Sequence, residues 1–354
     1  MSDIFLHGIQ NVTVDDGARP ITTVRSSTIG LIGSAPEADP LIFPLNKPVL
    51  IAGSRTLAAK LGETGTLPQA LDSIFDQIGA VVIVVRINEE IAAPATLANV
   101  IGGVDANTGT YEGVHAFLAS ENITGFVPKI LIAPGFTHTR TEAVGETPAT
   151  SNPVVAELIG IAERLKAVIV ADGPNTNDAD AIAYSKDFGS KRVFLVDPKV
   201  LKSVDGETSQ EWASACVAGL IAKSDNDRGW WWSPSNQEIN GIVGTARAID
   251  FAMGDANCRA NLLNEKNITT IIRQQGYRLW GNRTLSSDSK WAFLCVVRTA
   301  DMIDESLKAA HLWAVDRGIT KTYVDDVIEG VNAYLRYLTN IGAILGGSCW
   351  ADPD

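Results

Sequence analysis

Residues 81–87 read Val-Val-Ile-Val-Val-Arg-Ile, six β-branched residues in seven positions. A strand with one wet face alternates apolar and polar residues. This one is apolar at nearly every step, so both its faces are covered, as in parallel sheets with helices above and below. Working outward, 28–32 and 49–52 are further short apolar runs, while Leu57, Leu61, Leu71, Ile74, Phe75 and Ile78 recur at helical spacing. The rhythm continues through strand-like 129–133, helix-like 154–165, strand-like 167–171, helix-like 179–188 and strand-like 192–196. These are βα units, and they predict an α/β fold: mostly parallel sheets with flanking helices. Three of the strands run into turns, at Ala133-Pro134-Gly135, Asp172-Gly173-Pro174 and Asp197-Pro198. Ligands of open α/β sheets bind at such carboxyl ends.

The flanks read differently. The first 20 residues show no helical period; Val12, Thr13 and Val14 alternate as a strand does before a turn at Asp15-Asp16-Gly17, which predicts an extended arm. The Thr-rich stretch between Gly135 and Pro153 predicts a surface loop. After Ser233, Asn240-Gly241 is a pair favoured in tight hairpins, and 269–272 is another β-branched run. Two apolar stripes close the chain. Met302, Ile303, Leu307, Ala310 and Ala314 predict a helix stopped at Arg317-Gly318; Val324, Val327, Ile328, Val331, Tyr334, Leu335 and Leu338 predict a second. The short link between them predicts antiparallel packing. The expected organisation is an arm (1–20), a small α/β region (21–90), an α/β domain (91–270) and a C-terminal α+β assembly domain (271–354).

The 354 residues are 45% hydrophobic and 20% charged, enough for a large core in two or three domains. With 29 basic and 41 acidic residues the net charge is −12, which repels phosphate backbones and argues against nucleic acid as the main partner. The acid is uneven: residues 271–354 hold 9 basic and 10 acidic residues, leaving 20 against 31 before them. No apolar run approaches a membrane span and no basic, then apolar, leader opens the chain, so neither a spanning segment nor a cleaved signal is expected. Cys216, Cys258, Cys295 and Cys349 form no Cys-x-x-Cys, and neither phosphate-binding glycine motif nor a Gly-x-Ser-x-Gly elbow occurs. No cofactor or metal is expected. Two features invite a chemical reading. Asp172 and Asp197 stand where an α/β hydrolase-like enzyme would keep a strand-end carboxylate, although Asp-Gly-Pro is also ordinary turn chemistry. Trp230-Trp231-Trp232 offers a carbohydrate platform or a contact anchor, with one or two of the rings turned inside.

Several segments carry a resemblance. Asp172-Gly173-Pro174-Asn175, Phe188-Gly189-Ser190-Lys191-Arg192, Ser233-Pro234-Ser235-Asn236, the stretches 258–264 and 313–324, and above all 275–293 (QGYRLWGNRTLSSDSKWAF) resemble the tail sheath proteins of contractile phage tails, in the branch of temperate phages and R-type bacteriocins. The resemblance implies a non-enzymatic structural subunit with a subtilisin-like α/β region and an inner C-terminal domain. Copies would stack as rings into a helical sheath around a tube and shorten to drive it through a cell envelope. The implied partners are the chain itself, the tail tube protein, and baseplate and tail terminator proteins, with no nucleic acid and no direct membrane insertion. The implied location is the virion tail, after assembly in the host cytoplasm. Relatives of this kind run some dozens of residues beyond the position of Asp354, so a terminal strand is expected to be missing and closed assembly impaired. The resemblance also points to basic residues of the C-terminal helices as the grip on an acidic tube, here Arg317, Lys321 and Arg336. A helix-end charge preference would explain Arg317 and Arg336 without any partner.

The extended pattern of the arm generates a test. Segments 1–20 should add a strand to a neighbouring subunit, because backbone pairing needs no special side chain. Amides of Val12, Thr13 and Val14 should therefore exchange rapidly in a monodisperse monomer, and strong protection there would refute the arm.

Overall fold

The computed structural model describes residues 20–141, 150–204 and 206–352. The arm residues Val12, Thr13 and Val14 lie outside the described residues. In chain order come β1 (Ile29–Ser34), β2 (Pro48–Ala52), α1 (Arg55–Ala58), α2 (Thr66–Phe75) and β3 (Val81–Ile87), then α3 (Ala93–Ile101), β4 (Gly103–Val104), β5 (Tyr111–Glu112), α4 (Ser120–Thr124) and β6 (Ile130–Ile132). The middle holds α5 (Pro153–Leu165), β7 (Val168–Asp172), α6 (Asp178–Ser185), β8 (Val193–Val196), β9 (Val200–Val204), β10 (Glu207–Glu211) and α7 (Ala213–Arg228). The remainder is β11 (Gly244–Thr245), α8 (Arg259–Glu265), β12 (Ile268–Arg273), β13 (Tyr277–Trp280), α9 (Leu294–Ala310) and α10 (Lys321–Asn340).

Among the described residues, eight strands form one sheet in the order β13-β12-β8-β7-β6-β1-β3-β2. The six inner strands pair in parallel, and β2 and β13 close the two edges antiparallel. Leu31 of β1 stands opposite Val84 on one side and Ile132 on the other. Alternate residues feed two cores. Val82, Val84, Ile130, Val170 and Phe194 meet α2 and α7 on one face. Val85, Leu131, Ile169 and Leu195 meet α3, α5 and α6 on the other. The sheet crosses the sequence limits at 90 and 270, the second of which falls inside β12. Contacts divide the chain instead into a body, Arg25–Met302, and a smaller unit joining the residues up to Val24 with those from Ile303 onward.

Helix α7 is the element that the sequence pattern hides. Residues 213–222 are all buried, so the helix has no polar face in that stretch and shows no amphipathic period. It packs on α2 at Gly219, where a Cβ would stand 2.8 Å from the Ile74 carbonyl oxygen and 3.0 Å from its Cα. Only a residue without a side chain fits that approach.

Three local expectations are corrected. Asn240-Gly241 does turn the chain, but it does not return a strand on itself. The segment before it pairs with β13, Ile239 N reaching Tyr277 O at 2.8 Å, whereas Val243 N beyond it bonds Leu201 O of β9 at 2.8 Å. Helix α9 ends at Ala310 rather than near Gly318, since the ring nitrogen Nδ1 of His311 lies 2.7 Å from the Leu307 carbonyl and a separate turn, Leu312–Ala314, follows. Residues 311–320 therefore lie between α9 and α10, a longer link than the sequence predicts. The Thr-rich loop is closed at its described ends, where Thr141 and Thr150 exchange backbone bonds of 3.1 and 3.2 Å.

The close approach of α7 and α2 decides the sign of one substitution. Helix propensity alone makes Gly→Ala favourable by about 1 kcal/mol. At Gly219 the new methyl would meet backbone, which cannot swing aside, so Gly219→Ala should destabilise the chain by roughly 1–3 kcal/mol in urea unfolding. A stabilised variant would disprove the close packing.

Candidate assembly surfaces and strand-end carboxylates

Both strand-end carboxylates are buried and committed. Asp172 closes β7. Its Oδ1 accepts the Ser214 amide at 2.8 Å and its Oδ2 accepts the Ser214 hydroxyl at 2.6 Å. Thr137 Oγ1 accepts the Asp172 amide at 3.0 Å, and the buried Tyr184 hydroxyl donates to the Thr137 carbonyl. Ser214 lies in the first turn of α7, where amides have no partner within the helix and a negative charge is favoured, so Asp172 anchors that helix end. Burial pushes the Asp172 carboxyl up to about 7, against the pull of the Ser214 and Thr137 bonds. A Ser-His-Asp hydrolase needs an imidazole between acid and nucleophile. Here the acid binds the serine directly, Ser214 is fully buried, and the nearby His138 stacks on Trp212 with ring centroids 4.0 Å apart. Burial, with the charge of Lys199, holds His138 down to about 4.

Asp197 is likewise internal. It accepts Arg247 Nη2 and, at 3.0 Å, the Asn175 amide; burial raises its carboxyl and the Arg247 charge lowers it. Arg247 also reaches Asp178 at 2.7 Å, and Arg259 holds Asp178 with two bonds of 2.9 Å, so α6, α8 and the loop before α8 share one charged network. A cleft of about 240 Å³ opens nearby between His138, Thr176 and Asp180, with Arg140 on its rim held by Asp187 at 2.7 and 2.8 Å. Among the described residues no three His, Cys, Asp or Glu side chains converge as a metal cage requires. In the tryptophan run, Trp230 is buried, Trp231 meets it edge-on at 5.2 Å, and the half-exposed Trp232 lies under the Arg228 guanidinium at 5.6 Å. One exposed ring is not a carbohydrate platform.

The smaller unit has a different character. Helix α10 starts from Thr320, whose hydroxyl accepts the Tyr323 amide at 3.2 Å. It buries Val331, Tyr334 and Leu338 and turns Asp325, Glu329 and Arg336 outward. Asn332 is only half turned out, because its amide group exchanges bonds of 3.0 and 2.8 Å with the Cys349 backbone and holds the tail along the helix. Large apolar residues stand in solvent around it: Ile319 is 84% exposed, Leu312 and Trp350 are each 73% exposed, and Leu345 is fully exposed. Ile319 and Leu345 fall in stretches without a period, so no helical or strand pattern marks them in the sequence.

The three basic residues singled out from the sequence are all exposed. Arg317 lies over the Trp313 ring at 5.1 Å, Lys321 opens α10, and Arg336 stands 3.9 Å from Glu329. Arg317 and Lys321 are neighbours along the chain, whereas Arg336 is about 22 Å further along the helix axis. The helix-end explanation does not hold for any of them. Arg317 follows the end of α9 by seven residues, Arg336 precedes the last turn of α10, and Lys321 sits at a helix N-terminus, where a cation is disfavoured.

Comparison with known proteins covers nearly the whole chain. The model for the phage tail sheath protein central domain matches residues 109–285, that for the phage tail sheath C-terminal domain matches 286–354, and that for the N-terminal region of tail sheath protein Gp18 domain III matches 26–87. A prophage major tail sheath protein of Pseudomonas aeruginosa (strain UCBPP-PA14) is 46% identical over 99% of this chain and 88% of its own length. The tail sheath protein of Escherichia phage P2 is 36% identical over 99% and 87%. Among solved structures, the contracted helical sheath of the anti-feeding prophage superposes with a TM-score of 0.65 at 19% identity, covering 97% of this chain and 86% of that one.

The Asp172 network has a pH signature. A carboxyl raised from 3.8 to about 7 on folding keeps its proton in the folded chain after the unfolded chain has lost it. Its contribution to stability is therefore complete below about pH 4 and falls as pH rises to about 7. Asp172→Asn cannot ionise, so its stability relative to the natural chain should improve between pH 5 and pH 8 in urea unfolding. A pH-independent difference between the two would contradict this.

Proposed function

The chain belongs to the phage tail sheath family, and from that membership we propose that it is a structural subunit of a contractile sheath, stacked in rings around a tail tube and shortening to drive the tube through a cell envelope. The observation that carries this is the match along nearly the entire chain, with curated tail sheath proteins at 46% and 36% identity. A sheath releases stored energy through many weak contacts repeated over identical subunits, and this requires no fuel and no reaction. The role is accordingly non-enzymatic: the two strand-end carboxylates are occupied in fastening α7 and the α6–α8 network.

Its partners are further copies of the chain, the baseplate, the tail tube protein and the tail terminator, within the virion tail and, during assembly, the host cytoplasm. The arm at Val12, Thr13 and Val14 joins neighbouring subunits. Arg317, Lys321 and Arg336 face an acidic tube. What supports this placement is that all three are exposed in the least acidic quarter of the chain, and that Lys321 stands where its own helix disfavours a cation.

Mixed with tail tube protein, this chain carried on to the length of its Pseudomonas relative should coat tubes in regular rings visible by electron microscopy. Reversing all three charges (Arg317→Glu, Lys321→Glu, Arg336→Glu) should weaken tube binding several-fold, most at low salt, while thermal unfolding stays unchanged. Exposed charges act through steering and screening more than through stability. Unaltered decoration by the triple variant would place the tube contact elsewhere, and absence of any coat from the natural residues would overturn the sheath reading.

A further inference from the structure

The chain passes between its two units twice, after Val24 and after Met302. On the body side both passages are fixed to one carboxylate. Asp225, in the last turn of α7, receives Arg298 of α9 through Nη1 at 2.7 Å and through Nη2, and it receives the Ser26 hydroxyl at 3.0 Å. The same Nη2 donates to the Ser26 carbonyl at 3.0 Å. Both charged side chains are nearly sealed from water, at 6% and 3% exposure. One residue before the second passage, Asp301 is gripped through both oxygens by the fully buried Arg192. Past the passages, the Val24 amide donates to Ser306 Oγ at 3.1 Å, and the Thr23 and Tyr334 hydroxyls lie 2.9 Å apart. Residues 24–26 are thus stitched to α9 at two levels, residue 24 to 306 and residue 26 to 298.

Fold stability alone is a poor reason for this cluster. A carboxylate in the last turn of a helix opposes the dipole of that helix. A buried ion pair also contributes no more than apolar residues of the same shape; its best attested use is to fix one arrangement among several.

We propose that Asp225 is a positioning residue that locks the two body-side ends of these passages, residues 25–28 and 295–302, to each other and to the last turn of α7. The lock itself is a property of the single subunit and is tested there.

Hydrogen exchange on the full-length monomer reads it directly. Asp225→Asn keeps the shape and removes the charge. Amides of 25–28 and of 295–302 should then exchange about tenfold faster or more, together, while those of β3 and β7 keep their protection. Opening of 295–302 alone, or of neither segment, would overturn the lock. Should Asp225→Asn fail to fold, Ser26→Ala removes one donor from the same carboxylate without stranding a charge. It should give a smaller rise in the same two segments, and a rise confined to 25–28 would overturn the proposal. Neither measurement needs assembly, so a chain that forms no sheath leaves the outcome intact.

Discussion

Burial of the central sheet on both faces is the constraint from which the rest follows. Once the inner strands give one set of side chains to α2 and α7 and the alternate set to α3, α5 and α6, no face remains for water or for chemistry. Polar groups must then either stand at strand ends or be paired inside. Asp172 and Asp197 do both at once. They occupy the carboxyl ends where α/β enzymes keep their sites, and there they spend their bonding capacity on the chain itself. The position is that of an active site while the bonding is that of a fastener, which shows why fold alone does not establish activity.

The same constraint explains the internal charges. Arg192 with Asp301, Arg298 with Asp225, and Lys202 with Asp76 join residues more than seventy positions apart. Apolar replacements of buried ion pairs are often as stable, but apolar contact carries little direction. A bidentate Arg–carboxylate pair has direction, as Arg192–Asp301 and Arg298–Asp225 do, so each of these two favours one placement of α9.

Legibility in the sequence follows from how local the determining physics is. β3 announces itself through six β-branched residues, and α5 through an amphipathic period behind the cap Asn152, whose side chain accepts the Val155 amide at 3.0 Å. Helix α7 leaves no such trace, because an element surrounded by core has no polar face to set a period. The end of α9 comes before the nearest glycine, where a separate turn at Leu312–Ala314 begins, and the pairing of the segment before Asn240 with β13 depends on a strand some forty residues away. Asp172 was visible as a strand-end acid, yet its partner Ser214 lies beyond three intervening strands and a helix, out of reach of any motif. Exposed Ile319 and Leu345 were silent for the opposite reason: a residue outside every core of its own chain obeys no core period.

That last category bears on how a sheath subunit divides its apolar surface between its own core and its exterior. The body pairs its buried arginines Arg192, Arg247 and Arg298 with carboxylates. The smaller unit leaves Leu312, Ile319, Leu345 and Trp350 in water and carries a lysine at the N-terminal end of α10. Each such feature costs little in one copy, since a single exposed side chain or a screened surface charge is worth about 1 kcal/mol or less. Repeated around every ring of an assembly, the same small terms add in proportion to the number of subunits.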